Sequence, residues 1–174
     1  ACCDIAPMAD GGEGTLDALL ASVGGRRCSA MVHDPLMRPV RAEYGLLDAR
    51  DVLDARDVGD MQGIEDAQGI EDVLHTDGVR NAGNANRKAE AEPGRVAVVE
   101  MARASGLQYV DEHTRDPLHA STFGTGELIR HALDDGARTI IVTLGGSATN
   151  DGGAGMVQAL GAKLCDANGT EIGN

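Results

Sequence analysis

Tryptophan is absent from the 174-residue sequence, and one phenylalanine and two tyrosines are its only aromatic residues. The core must therefore be filled by Ala, Val, Leu, Ile and Met. Positive charge is also short: 15 Lys and Arg stand against 28 Asp and Glu, a formal net charge of -13. Such a field repels phosphate backbones and anionic membrane surfaces, so nucleic acid is not an expected partner. No CxxC pair joins the four cysteines (Cys2, Cys3, Cys28, Cys165), which excludes a zinc or disulfide framework and fits a reduced, cytoplasmic setting. No apolar run has spanning length and no basic-then-apolar leader is present, so neither a membrane partner nor secretion is expected. The chain lacks an initiator Met and stops in the polar turn "DANGTEIGN", which reads as a fragment truncated at both ends.

What remains is 42% apolar residues, ordinary for a soluble domain, and 24 glycines, a composition that leans towards α/β. Residues 1–9 read as a short strand. Leu16, Leu19, Leu20 and Val23 then fall at helical spacing before Gly24 and Gly25. Val40, Ala42, Tyr44 and Leu46 alternate as a half-buried strand, with Val96 to Val99 as its later neighbour. Residues 48–95 carry twelve acids against six bases and contain "LDARDV" twice and "QGIED" twice. They read as an acidic insertion in a β-hairpin that grew by duplication and is disordered. Further on, "GELIRHALDDGA" sets Leu128, Ile129, Ala132 and Leu133 on one helical face. The run "RTIIVTL" has the character of a strand buried on both faces. With the helix beginning near Ala154, this order describes a βαβ-type sheet. Residues 1–47 and 96–124 are expected to form a first α/β segment with the hairpin, and 125–174 a βα segment with a glycine-rich loop.

That loop, "GGSATNDGG", joins a strand's carboxyl end to a helix's amino end, where ligands of open α/β sheets sit. Gly145, Gly146, Gly152 and Gly153 let the backbone approach a phosphate or carboxylate, and Ser147, Thr149 and Asn150 add short polar side chains. Asp151 can hold Mg²⁺ or accept a proton from a substrate hydroxyl. "ADGGEGT" repeats the element with Asp10, Gly11, Gly12 and Glu13, and "STFGTGE", with Thr125, is a third Gly- and Thr-rich helix entry. As single loops these are equally helix caps and turns; as three they could line one polar cleft. No GxxxxGK[ST] occurs, which excludes a P-loop, and Gly153 and Gly155 lack the third glycine of a dinucleotide fingerprint, which sets aside an oxidoreductase. Glu100 stands where a strand delivers an acid to the sheet's edge. Arg38 and Arg115 are candidate carboxylate clamps. His33, His75, His113, His119 and His131 show no metal-ligand spacing and read as surface or packing residues.

The blocks "PMADGGEGTLDAL", "DPLMRPVRAEYGLL", "VVEMARASGL", "RDPLHASTFGTGELIRHAL" and "LGGSATNDGGAGMVQALGAKLCDANG" together resemble the glycerate kinase family of the bacterial type. The resemblance implies two α/β domains, one with a Rossmann-like parallel sheet, incomplete in this chain. It implies ATP and Mg²⁺ as cofactors, glycerate as acceptor and 2-phosphoglycerate as product. On it, Asp10, Glu13 and Asp151 become metal-binding or base carboxylates, with Asp10 and Asp151 the metal ligands. Gly11, Gly12, Gly145, Gly146, Ser147, Thr149, Asn150, Gly152, Gly153, Thr125 and Arg38 become the residues that hold substrate or phosphate. Three departures stand out. The insertion replaces a short hairpin connection, Phe123 stands where Tyr is common, and Met37 stands where the family has Gly in "DPLGRPV". A Met there calls for a negative φ, so an altered turn is expected. A homo-oligomer is a further expectation, since a truncated fold exposes apolar surface. The alternative reading is a non-catalytic, truncated or decayed relative that retains the fold and weak anion binding.

Overall fold

The computed structural model describes residues 11–48 and 94–172. The expected strand over residues 1–9, Asp10 and nearly all of the repeat-bearing insertion lie outside the described residues. Helix α1 (Thr15–Val23) leads to strand β1 (Arg26–His33), β2 (Pro39–Asp48) and β3 (Arg95–Glu100). A short helix α2 (Ala102–Ser105), a 3-10 turn (Leu107–Tyr109), helix α3 (Phe123–Asp134), β4 (Ala137–Thr143) and helix α4 (Ala154–Ala159) follow.

The fold is mixed α/β. One four-stranded sheet runs in the order β1-β2-β3-β4, and only β3 and β4 are parallel. The expected parallel sheet is thus a mixed one, because β1 and β2 form an antiparallel hairpin from Arg26↔Leu46 to His33↔Pro39. Strand β1 escapes sequence reading. Its core-facing residues are the small Cys28 and Ala30 with Val32, and Arg26 and Arg27 open it with a charged, exposed end. β2 and β3 pair antiparallel up to Asp48↔Arg95, so the insertion leaves and re-enters at the ladder's end.

Two apolar layers sandwich the sheet. On one face Leu16, Leu19, Leu20 and Val23 of α1 pack on Leu47, Val96, Val98 and Ile141. On the other, Leu128, Ile129 and Ala132 of α3 pack with Val32, Tyr44, Leu46, Ala97 and Val99. Leu133, expected on that stripe, is 44% exposed in the helix's last turn. β4 also departs from expectation: only Ala137 is buried. It is the end strand of the described sheet, and α1 lies over β2 and β3 instead of over β4.

The β1–β2 turn is organised by Asp34, which is 1% exposed. Its Oδ1 accepts the amides of Leu36 and Arg38, each at 2.9 Å, and its Oδ2 accepts Arg38 Nε at 2.6 Å. Met37 sits there with φ +62°, the only described non-glycine residue in the left-handed region. The expected negative φ is corrected: the carboxylate and the ladder on either side over-determine the turn, and Met37 bears a cost of about 1–2 kcal/mol that glycine would avoid. Met37→Val should therefore destabilise the chain by about 1–2 kcal/mol in urea titrations, while the polar Met37→Asn should be neutral or stabilising, since Asn tolerates this region. If apolarity governed the position, the two would rank the other way.

Candidate active site

β1 runs antiparallel to β2, β2 antiparallel to β3, and β3 parallel to β4, so β1, β3 and β4 all end at one edge of the sheet. That carboxyl edge collects the Asp34–Arg38 turn, Glu100, the loop after Thr143, and the amino ends of α1 and α3. It is the edge at which open α/β sheets bind ligands.

Contacts between the glycine-rich stretches make them one structure. A Cβ added to Gly145 would lie 2.6 Å from Gly12 Cα, and one added to Gly11 would lie 3.0 Å from the Leu144 carbonyl oxygen. The 11–14 stretch therefore lies flat on the start of the 145–153 loop, and only glycine admits the approach. That loop is in turn stitched to the end of α2: Leu107 donates its amide to the Gly146 carbonyl at 2.8 Å, and Ala148 donates to the Ser105 carbonyl at 2.9 Å. The Ser147 and Thr149 hydroxyls pair at 2.8 Å, and the Thr149 amide donates to Ser147 Oγ at 3.0 Å. Asn150 is exposed.

Asp151 joins the third stretch. Its Oδ2 accepts the Thr122 amide and hydroxyl, each at 2.8 Å, and the Gly155 amide at 3.0 Å. Its Oδ1 accepts the Gly153 amide at 3.0 Å. The Thr122 hydroxyl oxygen also accepts the Met156 amide at 2.9 Å. One carboxylate thus caps the amino ends of α3 and α4, where helix dipoles favour negative charge. Burial pushes the Asp151 carboxyl up, but the Thr122 amide and hydroxyl and the Gly155 and Gly153 amides outweigh it, and the net shift is downward. A carboxylate whose acceptor positions are all taken does not fit Mg²⁺, since coordination would cost it at least one of these bonds. Among the described residues no cluster of three or more His, Cys, Asp or Glu fits instead.

Comparison with known proteins gives this geometry a lineage. The model of the Glycerate kinase family matches residues 1–79 and 58–174. The chain belongs to the glycerate kinase family. It is 44% identical over 167 residues to the glycerate 2-kinase of Escherichia coli (strain K12), covering 96% of this chain and 32% of that protein. It is 42% identical to the glycerate kinase of Bacillus subtilis (strain 168), again over 96% of this chain and 32% of the relative. The crystal structure of a candidate glycerate kinase 2 from Salmonella typhimurium LT2 superposes with a TM-score of 0.65 at 43% identity, covering 96% of this chain and 33% of that one. The chain therefore spans about a third of the length of these glycerate kinase relatives.

Other expected site residues of this glycerate kinase family member fall into two groups. Outward-facing are Glu13, which is exposed, and Arg38, half-exposed and tethered through Nε to Asp34 and through Nη2 to the Tyr109 carbonyl. Gly152 is also exposed, and Arg115 is exposed on the 111–116 turn. Facing inward are Thr125, 1% exposed with its hydroxyl 2.7 Å from that of Ser105, and Glu100. Glu100 is buried, and accepts the Leu16 amide at 2.7 Å and Arg103 Nε at 2.6 Å, so it caps α1 from below. Its register neighbour Thr143 has the one buried side-chain polar atom without a partner among the described residues. No described helix is long and apolar enough to cross a membrane. Sequence reading missed the pairing of His33 with Glu127, because 94 residues separate them.

Because the folded Asp151 carboxyl lies below its ordinary value of 3.8, its stabilisation is complete above that pH and lost as pH falls through the folded value. Asp151→Asn should cost about 1–2 kcal/mol at pH 7 in urea unfolding, and the gap to wild type should close near pH 2, where the native carboxyl is protonated too. A gap unchanged between the two pH values would mean that charge on Asp151 does not hold the helices.

Proposed function

We propose that this chain carries the acceptor and phosphoryl-handling part of a glycerate kinase: it binds glycerate and ATP at the carboxyl edge and takes part in transferring the γ-phosphoryl group to the 2-hydroxyl. One observation carries the reading. The three Gly-rich stretches, 11–14, 121–127 and 145–155, meet at a single edge of the sheet, in a chain similar over almost its whole length to proteins named glycerate kinase.

The chemistry divides among the outward groups. Arg38, fixed at Nε and Nη2, offers the rest of its guanidinium fork to the carboxylate of glycerate. The amides of Gly145 and Gly146 and the side chain of Asn150 line the loop for phosphate oxygens, with Ser147, Thr149, Gly152 and Gly153 shaping it and Gly11 and Gly12 forming its other wall. Asp10 and Glu13 are the carboxylates at the rim. Asp151 acts through the loop it holds in place, since phosphoryl transfer is mostly positioning and electrostatics. Thr125 serves by anchoring the first turn of α3.

The test is a coupled ADP-release assay on the 174-residue chain with Mg-ATP, with and without D-glycerate. Glycerate-dependent release is expected, and Asp151→Asn should lower kcat/KM by about tenfold or more through the displaced loop. Release that ignores glycerate, or none at all, would overturn the reading and leave a non-catalytic relative.

A further inference from the structure

His33 ends β1 at the same carboxyl edge, outside the three glycine-rich stretches. Its imidazole Nδ1 lies 2.9 Å from Glu127 Oε2, and the same oxygen accepts the His33 backbone amide at 2.8 Å. Glu127, on the second turn of α3, is 8% exposed. The Phe123 ring meets the imidazole edge-on, with centroids 6.1 Å apart. Below it, α3 is pressed so close that a Cβ on Gly124 would collide with the His33 carbonyl. The imidazole is thus fixed in position, plane and tautomer. With a carboxylate on Nδ1, that nitrogen carries the proton and Nε2 presents a lone pair. Nε2 has no partner among the described residues, and the side chain is 38% exposed.

A pair made only for tethering looks different elsewhere in the chain. His119 and Asp116 are three residues apart, and their side chains are 79% and 45% exposed, an ordinary surface contact. The His33–Glu127 pair joins segments 94 residues apart, on a buried acid. The backbone amide bond to Glu127 already ties β1 to α3, so the imidazole bond adds orientation. His33 also adjoins the candidate site through consecutive residues: Phe123 touches the imidazole, and Thr122 bonds Asp151.

We propose that His33 receives the substrate hydroxyl at Nε2, with Glu127 as the residue that positions it. This rests on the glycerate kinase reading above and names the proton acceptor within it. The hydroxyl oxygen forms its bond to the γ-phosphorus of a nucleoside triphosphate. The bond from that phosphorus to the β,γ-bridging oxygen breaks, and the nucleoside diphosphate leaves with the electron pair. The hydroxyl proton passes to Nε2, the Glu127 carboxylate stabilises the resulting imidazolium, and the proton then returns to water.

The test is a long-range ¹H–¹⁵N spectrum of the histidines in the 174-residue chain, titrated with D-glycerate. The expected result is a single Nδ1–H tautomer at His33 whose Nε2 resonance moves saturably with glycerate. Glu127→Gln, which keeps an acceptor for the His33 amide, should redistribute the tautomer and weaken glycerate about tenfold. His33→Gln should weaken it at least as much. Shifts in the Gly145–Gly153 amides with His33 unmoved would overturn the proposal and leave the substrate reading standing. No shift anywhere would overturn both. The wild-type titration decides the matter even if a variant fails to fold.

Discussion

Two helices aim their amino ends at the same small volume beside the carboxyl edge of the sheet, and their exposed amides and aligned dipoles would repel one another without an anion between them. Asp151 is that anion. It takes amides from Thr122 at the start of α3 and from Gly153 and Gly155 at the start of α4. The consequences spread outward. The first turn of α3 is set, and with it Phe123 against His33 and Thr125 against Ser105. The loop before Asp151 is set as well, because its far end is stitched to α2 and covered by the 11–14 stretch.

Glu100 does the same for the opposite layer. It receives the Leu16 amide from α1 and is balanced by Arg103, which also reaches Asp17 and Glu43. Arg27 bonds Asp17 and Glu43 in turn, so a web of five charged groups ties α1 to β1, β2, β3 and α2. Its exposed members contribute little singly. The buried bond from Glu100 to Leu16 fixes where α1 starts, and so where the 11–14 stretch crosses the strand ends. Each helical layer is positioned by one acid at the sheet's edge, and both acids are spent on backbone amides.

Spending those acids internally decides what is left for chemistry. The groups that face outward are the guanidinium of Arg38, the side chain of Asn150, Glu13 and Nε2 of His33, on a chain whose net charge is -13. An anionic substrate is then met by one tethered cation, an imidazole and backbone dipoles, with no help from the overall field. The Thr143 hydroxyl, buried and unpartnered beside Glu100, adds a polar atom at the same edge.

The amino-acid order by itself determined the elements whose signal is local. The apolar spacing of Leu16 to Val23 and of Leu128 to Ala132, the alternation from Val40 to Leu46, and the glycine-rich turns were legible, and so was the family, because those motifs are contiguous strings. Strand β1 was not, since an edge strand buries little and needs no clean alternation. The sign of φ at Met37 was not, since Asp34 and the flanking ladder override the residue's own preference. The role of Asp151 was legible only as a polar loop residue. Whether its oxygens face a ligand or the helix amides depends on Thr122, 29 residues away, as the pairing of His33 depends on Glu127, 94 away. Local propensity acts over a few residues, whereas a carboxylate chooses among donors by distance in space, and only the packed sheet brings those donors within reach.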